Sequence, residues 1–450
     1  MMSSKKGSLT IFLALCMMTF LMFCLVLTEG VRFYYLRAKA ETAMDLAGFS
    51  VLSEYQKELL SHYGVFFVDL DYEQGTEQTS ILEQRFQTYL SKNAEEIETK
   101  SLLTSKFRRA TDQDGLPFLK QAAEFMKVKS GYKVLEELTG IEDSLGEAVD
   151  LGSLLEKQSG AAASVLKGYV DEEGNSLFSI SLPNVSFPSV NALTEAVFGS
   201  ESMLSEKSVN LQERLLNRSL KTGDGRKEDR DFADAQFFYG YLFEHFSHYG
   251  ARDKAILASA LEYQLEYIIA GEESDLKNLE NIMWRIFLMR AGGNYALFHS
   301  DAGRLAQAEA EATALVGITG NAALIGMVRE ILLIGQAIEE GIKETKSIFA
   351  GASMPVYQNE AGKSISMGYE QYLYLFLMTT GQKQKVYRAM DLIELEVREK
   401  SGYENFRMDH CVDAFVVEWH WQTDAILNAL PYGGNGMFEN VIRRNIFYEM

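Results

Sequence analysis

Few side chains in the sequence combine the residue types and the spacing that catalysis or metal binding requires. His245 and His248 lie three positions apart beside Glu244, which would place both imidazoles on one face of a helix. Structural zinc sites draw their ligands from two such pairs, and no second pair accompanies these histidines. The pattern therefore favours the polar edge of a helix over a metal site.

The segment Ala361-Gly362-Lys363-Ser364 contains the end of a phosphate-binding loop. That motif also requires an earlier glycine, and Tyr357 stands at its position. Half of a short motif recurs often by chance, and no clear strand pattern precedes it, so we predict no nucleotide site.

Further candidate ligands and nucleophiles collect near the carboxyl terminus: His410, Cys411, Asp413, Glu418 and His420. In a strand His410 and His420 would share a face but lie ~33 Å apart, too far for one metal ion. No G-x-S-x-G nucleophile elbow occurs, and no activating partner of Cys411 is identifiable. We therefore predict no catalytic, cofactor-binding or metal-binding residue and no enzymatic activity.

The elements that organise the chain begin with an apolar run at residues 9–27, which holds no charge, proline or glycine. As a helix this run is long enough to cross the ~30 Å hydrocarbon core of a bilayer. No small-residue cleavage pattern follows it between Thr28 and Phe33, so we predict a permanent transmembrane helix. Residues 1–8 then form a cytoplasmic head.

The charges that flank the run give a mixed signal for orientation. Lys5 and Lys6 precede it, while Arg32, Arg37 and Lys39 follow it. A short head before a single span and a long chain after it favours a single-pass cell-membrane protein with its body outside the cytoplasm.

Composition indicates a folded, acidic body. The chain has 450 residues, of which 47% are hydrophobic, so it can bury the core of one large or two moderate domains. Its formal net charge is −20, and it has no basic stripe to neutralise phosphates, which argues against a nucleic-acid partner. Outside the apolar run Cys411 is the only cysteine, so the body must be stabilised by packing and not by disulfides.

Apolar residues continue at helical spacing from Tyr35 to Leu59, which predicts one helix of about 50 residues through membrane-proximal residues 28–62. Gly64 should end this helix in a left-handed conformation, and residues 65–71 read as a short strand. Small residues on this helix would allow close packing either against a partner helix or against the protein's own body: Ala38, Ala40, Ala43, Ala47 and Gly48.

We divide the body into an N-terminal part, residues 63–185, and a helical body with C-terminal strands, residues 186–450. In the first part we expect charged helices from 71 to 129 with a break at Leu116-Pro117, then an acidic connection at 133–157. Extended structure at 177–188 marks the boundary. Residues 221–230 predict an exposed polar loop.

The helical body shows repeated apolar periodicity between glycine or polar turns, such as those at Gly271 and at 292–294. The uncharged segment 312–328 contains three glycines and favours a buried helical hairpin over a second span. Residues 411–421 and 440–448 should form paired strands. The predicted helices are 232–248, 252–270, 275–290, 302–318, 321–345, 368–380 and 384–400. The expected fold is thus mainly α with minor β.

The segments KKGSLTIFLAL and AETAMDLAGFSVLSEYQKELLSHYGVFFVDLD resemble the amino-terminal part of TadE/TadG-like, pilin-related proteins of tight-adherence (Tad) pilus systems. The whole chain resembles an uncharacterised family of Gram-positive bacterial proteins of that type. Residues 262–301 and 368–380 resemble the helical body of that family. The resemblance implies a membrane-anchored, pilin-like accessory or structural component of a Tad-type pilus or secretion apparatus. Its partners would be other pilin-like or secretion components, with no small-molecule substrate.

The chain departs from the pilin pattern in two places. Gly7 suits a prepilin peptidase, but Phe12 stands where those enzymes prefer glutamate, and no Asp-x-Ser-x-Ser metal motif occurs. The alternative function is an extracytoplasmic ligand-binding protein or envelope enzyme, whose site is assembled from residues distant in sequence.

Overall fold

The computed structural model describes residues 5–72, 78–130, 187–199, 204–229, 231–251, 260–358, 364–400, 402–425 and 437–448. The helices in chain order are α1 (Lys5–Leu52), α2 (Lys57–Tyr63), α3 (Thr79–Asn93), α4 (Asp112–Ser130), α5 (Val190–Phe198), α6 (Phe232–His245), α7 (Gln264–Ala270), α8 (Asp275–Ser300), α9 (Ala302–Val316), α10 (Ala322–Phe349), α11 (Tyr369–Thr379) and α12 (Gln382–Arg398). The strands are β1 (Val68–Asp69), β2 (Glu98–Arg109), β3 (Met354–Gln358), β4 (Ser364–Met367), β5 (Cys411–Asp424) and β6 (Met437–Phe447). The fold is mainly α with minor β, as predicted.

The chain divides into two compact units, each assembled from separate stretches of sequence. The first comprises Met1–Gln121, Leu220–Arg230 and Val397–Met450, and the second comprises Ala122–Ser219 and Asp231–Glu396. The predicted boundary between residues 185 and 186 lies outside the described residues. So do the predicted connection at 133–157, most of the extended segment at 177–188 and residues 361–363 of the half phosphate-binding loop.

The long helix α1 begins the first unit and combines two environments. Within the described chain it is the one helix long and apolar enough to cross a membrane, and its most apolar window has none of its surface buried. By length and composition this segment is suited to be a membrane anchor or a signal sequence. Beyond it the same helix continues without interruption into the body.

The helix ends earlier than the sequence predicts. It stops at Leu52, and a separate short helix, α2, follows after a four-residue connection. The connection forms because the Gln56 N–H donates to the Phe67 carbonyl at 2.8 Å, a bond between residues far outside one helical turn. Gly64 does take the predicted left-handed conformation, with φ of 65°, but it ends α2.

The first unit contains a four-stranded antiparallel sheet in which β5 pairs with β1, β2 and β6. The predicted carboxyl-terminal strands are confirmed as β5 and β6, with Glu418 opposite Arg443. The predicted strand at 65–71 is reduced to the two residues of β1. The helices expected from 71 to 129 are present as α3 and α4, but β2 between them was missed, because most of its residues are exposed or half-buried and show no clear alternation. The break predicted at Leu116-Pro117 lies just before these two residues, where Gln113, Asp114 and Gly115 have left-handed φ values, and α4 continues through Pro117.

One face of α1 packs into the core of this unit. Ala40, Ala43 and Ala47 are almost fully buried beside the sheet residues Trp419 and Trp421. These small side chains let the helix approach the sheet closely, so they serve the protein's own fold. Gly48 is held equally tightly, since a Cβ there would lie 2.6 Å from Cδ1 of Ile446.

Most of the predicted helices of the second unit are present, but the described part of the helix predicted at 252–270 is helical only from Gln264, in α7. Helices α9 and α10 form the predicted hairpin and pack through Ala312, Val316, Leu324 and Val328. The hairpin is not buried as predicted, since Ile318 at its turn is 95% exposed. The prediction of a turn at 292–294 is wrong, because α8 continues through those residues to Ser300. Helix propensity penalises glycine by only about 1 kcal/mol, which packing on both sides readily offsets.

Candidate functional site

Opposite its buried alanines, α1 presents a second face that we call the exposed α1 face: Val31, Tyr35, Ala38, Thr42, Leu46 and Phe49. These residues recur at steps of three and four, so they form one stripe along the helix. Val31, Tyr35 and Phe49 are 69%, 59% and 67% exposed, which is unusual for large apolar side chains. The stripe continues the apolar segment of residues 9–27 into the body and is the candidate contact surface.

A cavity of about 580 Å³ lies in the same unit and is termed the basic pocket here. Its floor is formed by the adjoining ends of β5 and β6, from Ala414 to Val416 and from Asn445 to Tyr448. Its rim carries five cationic side chains and two carboxylates: Lys106, Arg108, Lys120, Arg226, Lys227, Glu228 and Asp229. Such a concentration of cations contrasts with the net charge of −20 for the whole chain.

Arg108 anchors the wall of the pocket. Its Nε and Nη2 atoms donate to the two carboxylate oxygens of Asp413 at 2.7 and 3.0 Å, and its Nη1 atom donates to Glu228. Gln121 completes the cluster by donating to Asp413 at 3.2 Å. Burial disfavours the charged guanidinium, but the two carboxylates more than compensate and raise the pKa of Arg108. The charge and the N–H donors of Arg108 are therefore paired with carboxylates of the protein itself.

A polar loop, residues 220–229, supplies two further cations of the rim, Arg226 and Lys227. The Gly225 N–H donates to the Phe107 carbonyl at 3.0 Å, which brings the loop onto the end of β2. A Cβ at Gly223 would lie 2.1 Å from the Phe107 carbonyl oxygen, so only glycine fits there. Arg226 and Lys227 are exposed, as predicted for this loop. The loop backbone, in contrast, is held against β2 by the contacts of Gly223 and Gly225 with Phe107.

Lys106 reaches the pocket through a β-bulge. Between Ser105 and Arg108 the register with β5 shifts, and Lys106 takes a φ of 53°. A lysine in this left-handed region costs on the order of 1 kcal/mol, and such strain is found preferentially at functional positions.

The histidines singled out in the sequence do not form a metal site. The His245 ring packs at a tilt against Tyr241, with ring centroids 4.4 Å apart, and Nε2 of His248 lies 3.5 Å from Glu370. Among the described residues no group of three or more His, Cys, Asp or Glu side chains is arranged to hold a metal ion.

The carboxyl-terminal cluster also separates into structural contacts. Nδ1 of His410 lies 2.7 Å from Asp71, and Nε2 of His420 lies 2.9 Å from Glu418. The Cys411 thiol is buried and lies 3.6 Å from the carbonyl of Arg407. Asp413 of this cluster lies next to the basic pocket, through its pairing with Arg108.

Two buried carboxylates in the second unit were missed by the sequence reasoning. Burial raises the pKa of Glu266 to about 7, while hydrogen bonds from the Tyr369 hydroxyl and the Tyr249 N–H partly oppose this shift. Burial likewise raises the pKa of Asp391 to about 7, although it accepts a hydrogen bond from the Leu215 N–H at 2.8 Å. Neither residue has a local sequence signal, because burial depends on the tertiary fold.

Comparison with known families gives one match. Residues 184–367 and 357–423, together more than half of the chain, match a family of unknown function, DUF5702. A search of curated proteins and a search of solved structures each gave no significant match. The chain therefore belongs to the family of unknown function DUF5702.

Proposed function

We propose that this protein is a membrane-anchored, pilin-like accessory or structural component of a Tad-type pilus or secretion apparatus at the cell envelope. The observation that carries the proposal is the division of α1 into a fully exposed apolar half and a half with one face buried on its own sheet. The sequence resemblance assigns the same plan, a helix half in and half out of the membrane, to pilin-related proteins.

In this proposal residues 9–27 span the membrane, residues 1–8 are cytoplasmic and the body lies outside. Protease added to intact protoplasts is then expected to digest the body, because no membrane shields the chain beyond Val31. The measurement is loss of full-length protein on an immunoblot, with a cytoplasmic protein as the intactness control. Complete protection of the body in intact cells, with digestion after lysis, would reverse the orientation.

The proposed mode of action is lateral contact through the exposed α1 face. Helices associate in membranes through close packing of matching surfaces, and the same stripe extends beyond the membrane to Leu46 and Phe49. A photocrosslinking amino acid at Phe49 is expected to capture pilin-like or secretion components in cells.

The matched control is the same amino acid at Leu103, which is 55% exposed on β2 and outside the α1 face. Adducts should form from position 49 and be absent from position 103 when analysed by mass spectrometry. Equal capture at both positions would argue against a specific helix contact. Adducts that persist unchanged in a strain lacking the Tad-type apparatus would remove that assignment.

A further inference from the structure

We propose that the basic pocket binds a small phosphate-bearing organic anion. The ligand would bind the first unit whether or not the protein serves a pilus, and only the exclusion of a lipid headgroup rests on the proposed membrane span.

Three cations of the rim have unused charge. Lys106, Arg226 and Lys227 make no ion pair or hydrogen bond with any residue in the part of the chain that the structure describes. Lys120 is only weakly engaged, at 3.6 Å from Glu228. Arg108 is paired with two carboxylates, Asp413 and Glu228, so this cluster carries one excess negative charge. The other four cations of the rim are opposed by that charge and by Asp229, which leaves the pocket with two net positive charges. A multivalent anion is the ligand that this field favours.

Two backbone features set the positions of these cations: a strained φ at Lys106 and a close approach of the loop to β2 that a side chain at Gly225 would prevent. Lys106 occupies a left-handed conformation at the β-bulge, although glycine would adopt it without strain. Arg226 and Lys227 follow Gly225, whose close approach to β2 holds the loop at the rim. The fold thus keeps three mutually repelling side chains around one cavity, which stabilises an anion without further rearrangement.

The remaining surface fits the organic part of a phosphate ester. Phe447, which is 39% exposed, and Ala414 opposite it on β5 contribute apolar surface to the floor, and the cavity of about 580 Å³ suits a small molecule. Arginine offers paired N–H donors and lysine a point charge, a combination that phosphate oxygens accept well.

The pocket lies far from the proposed membrane span. Its floor residue Ile446 contacts the Gly48 position of α1, and the Tyr448 hydroxyl donates to the Leu52 carbonyl. At 1.5 Å per residue, Gly48 is about 30 Å along the helix from Leu27. A headgroup of the same bilayer is therefore out of reach, and the ligand comes from the aqueous side.

The test is calorimetric titration of the full-length protein in detergent with glycerol 3-phosphate, inorganic pyrophosphate and citrate. The phosphate compounds should bind, and higher salt should weaken their binding because the contacts are ionic. Lys106→Gly removes a cation and relieves the strained φ, so its thermal stability should not fall while its Kd rises about tenfold or more. Lys227→Ala should raise the Kd similarly.

The control variant is Lys100→Ala, which removes a lysine from the same strand that pairs with Glu439 outside the pocket. Its Kd should equal that of the wild type. The proposal is overturned if no phosphate compound binds, if citrate binds equally well, or if Lys106→Gly and Lys227→Ala bind like the wild type. Loss of glycerol 3-phosphate binding in nanodiscs of anionic lipid would show that a headgroup occupies the pocket and would overturn the aqueous source.

Discussion

Replacing Asp413 by leucine is expected to lower the free energy of unfolding by about 3–5 kcal/mol. Asp413 is 2% exposed and holds Arg108, itself buried, through two hydrogen bonds. The substitution leaves a buried guanidinium with Glu228 as its one remaining carboxylate partner, and an uncompensated buried charge is costly. Urea denaturation followed by the fluorescence of Trp419 and Trp421, on the same strand, measures the loss.

The pair Lys100 and Glu439 provides the control for this prediction. Its two side chains are 52% and 57% exposed and 2.8 Å apart, so Glu439→Ala should cost less than about 1 kcal/mol. The double variant Arg108→Met with Asp413→Leu should recover part of the loss, since it removes the unpaired charge. A cost for Asp413→Leu no larger than that of Glu439→Ala would show that the buried cluster contributes little.

The second large effect is the pH dependence contributed by Glu266. Its pKa is raised to about 7 by burial, whereas an unfolded glutamate titrates near ~4.3. Between these values the folded protein binds more protons than the unfolded chain, so the free energy of unfolding falls as pH rises through this window. The contribution of this one carboxyl is on the order of 3 kcal/mol.

Glu266→Gln should remove about half of this slope and leave the rest, because Asp391 is shifted in the same direction. Urea denaturation between pH 4.5 and 8, followed by far-ultraviolet circular dichroism, reports on the largely helical second unit. Glu213→Gln serves as the control, since Glu213 is 59% exposed in the same unit and the slope of this variant should match that of the wild type. A wild-type stability that rises across this range would contradict the raised pKa.

The helices of the second unit could be predicted from the sequence because each has an amphipathic repeat and a local stop signal. Gly271 takes the left-handed φ of 76° that ends α7, and the side chain of Asp301 accepts the N–H groups of Gly303 and Arg304 at the start of α9. The glycines at 292 and 293 predicted a turn incorrectly. They lie inside α8, because packing offsets the low helix propensity of glycine. Strand β2 escaped prediction because its pairing partner, β5, lies about 300 residues away in sequence.

By itself the sequence determined the properties that depend on neighbouring residues: the apolar segment 9–27, the helical repeats, and the strands β5 and β6. It left open whether the alanines of α1 face a partner or the protein's own core, since both arrangements have the same helical spacing. Only the tertiary structure decided this, by burying Ala43 and Ala47 against the sheet and leaving Phe49 exposed. The basic pocket likewise exists only in the fold, because it joins residues from five separate stretches, and the distances between them are set by packing across the chain.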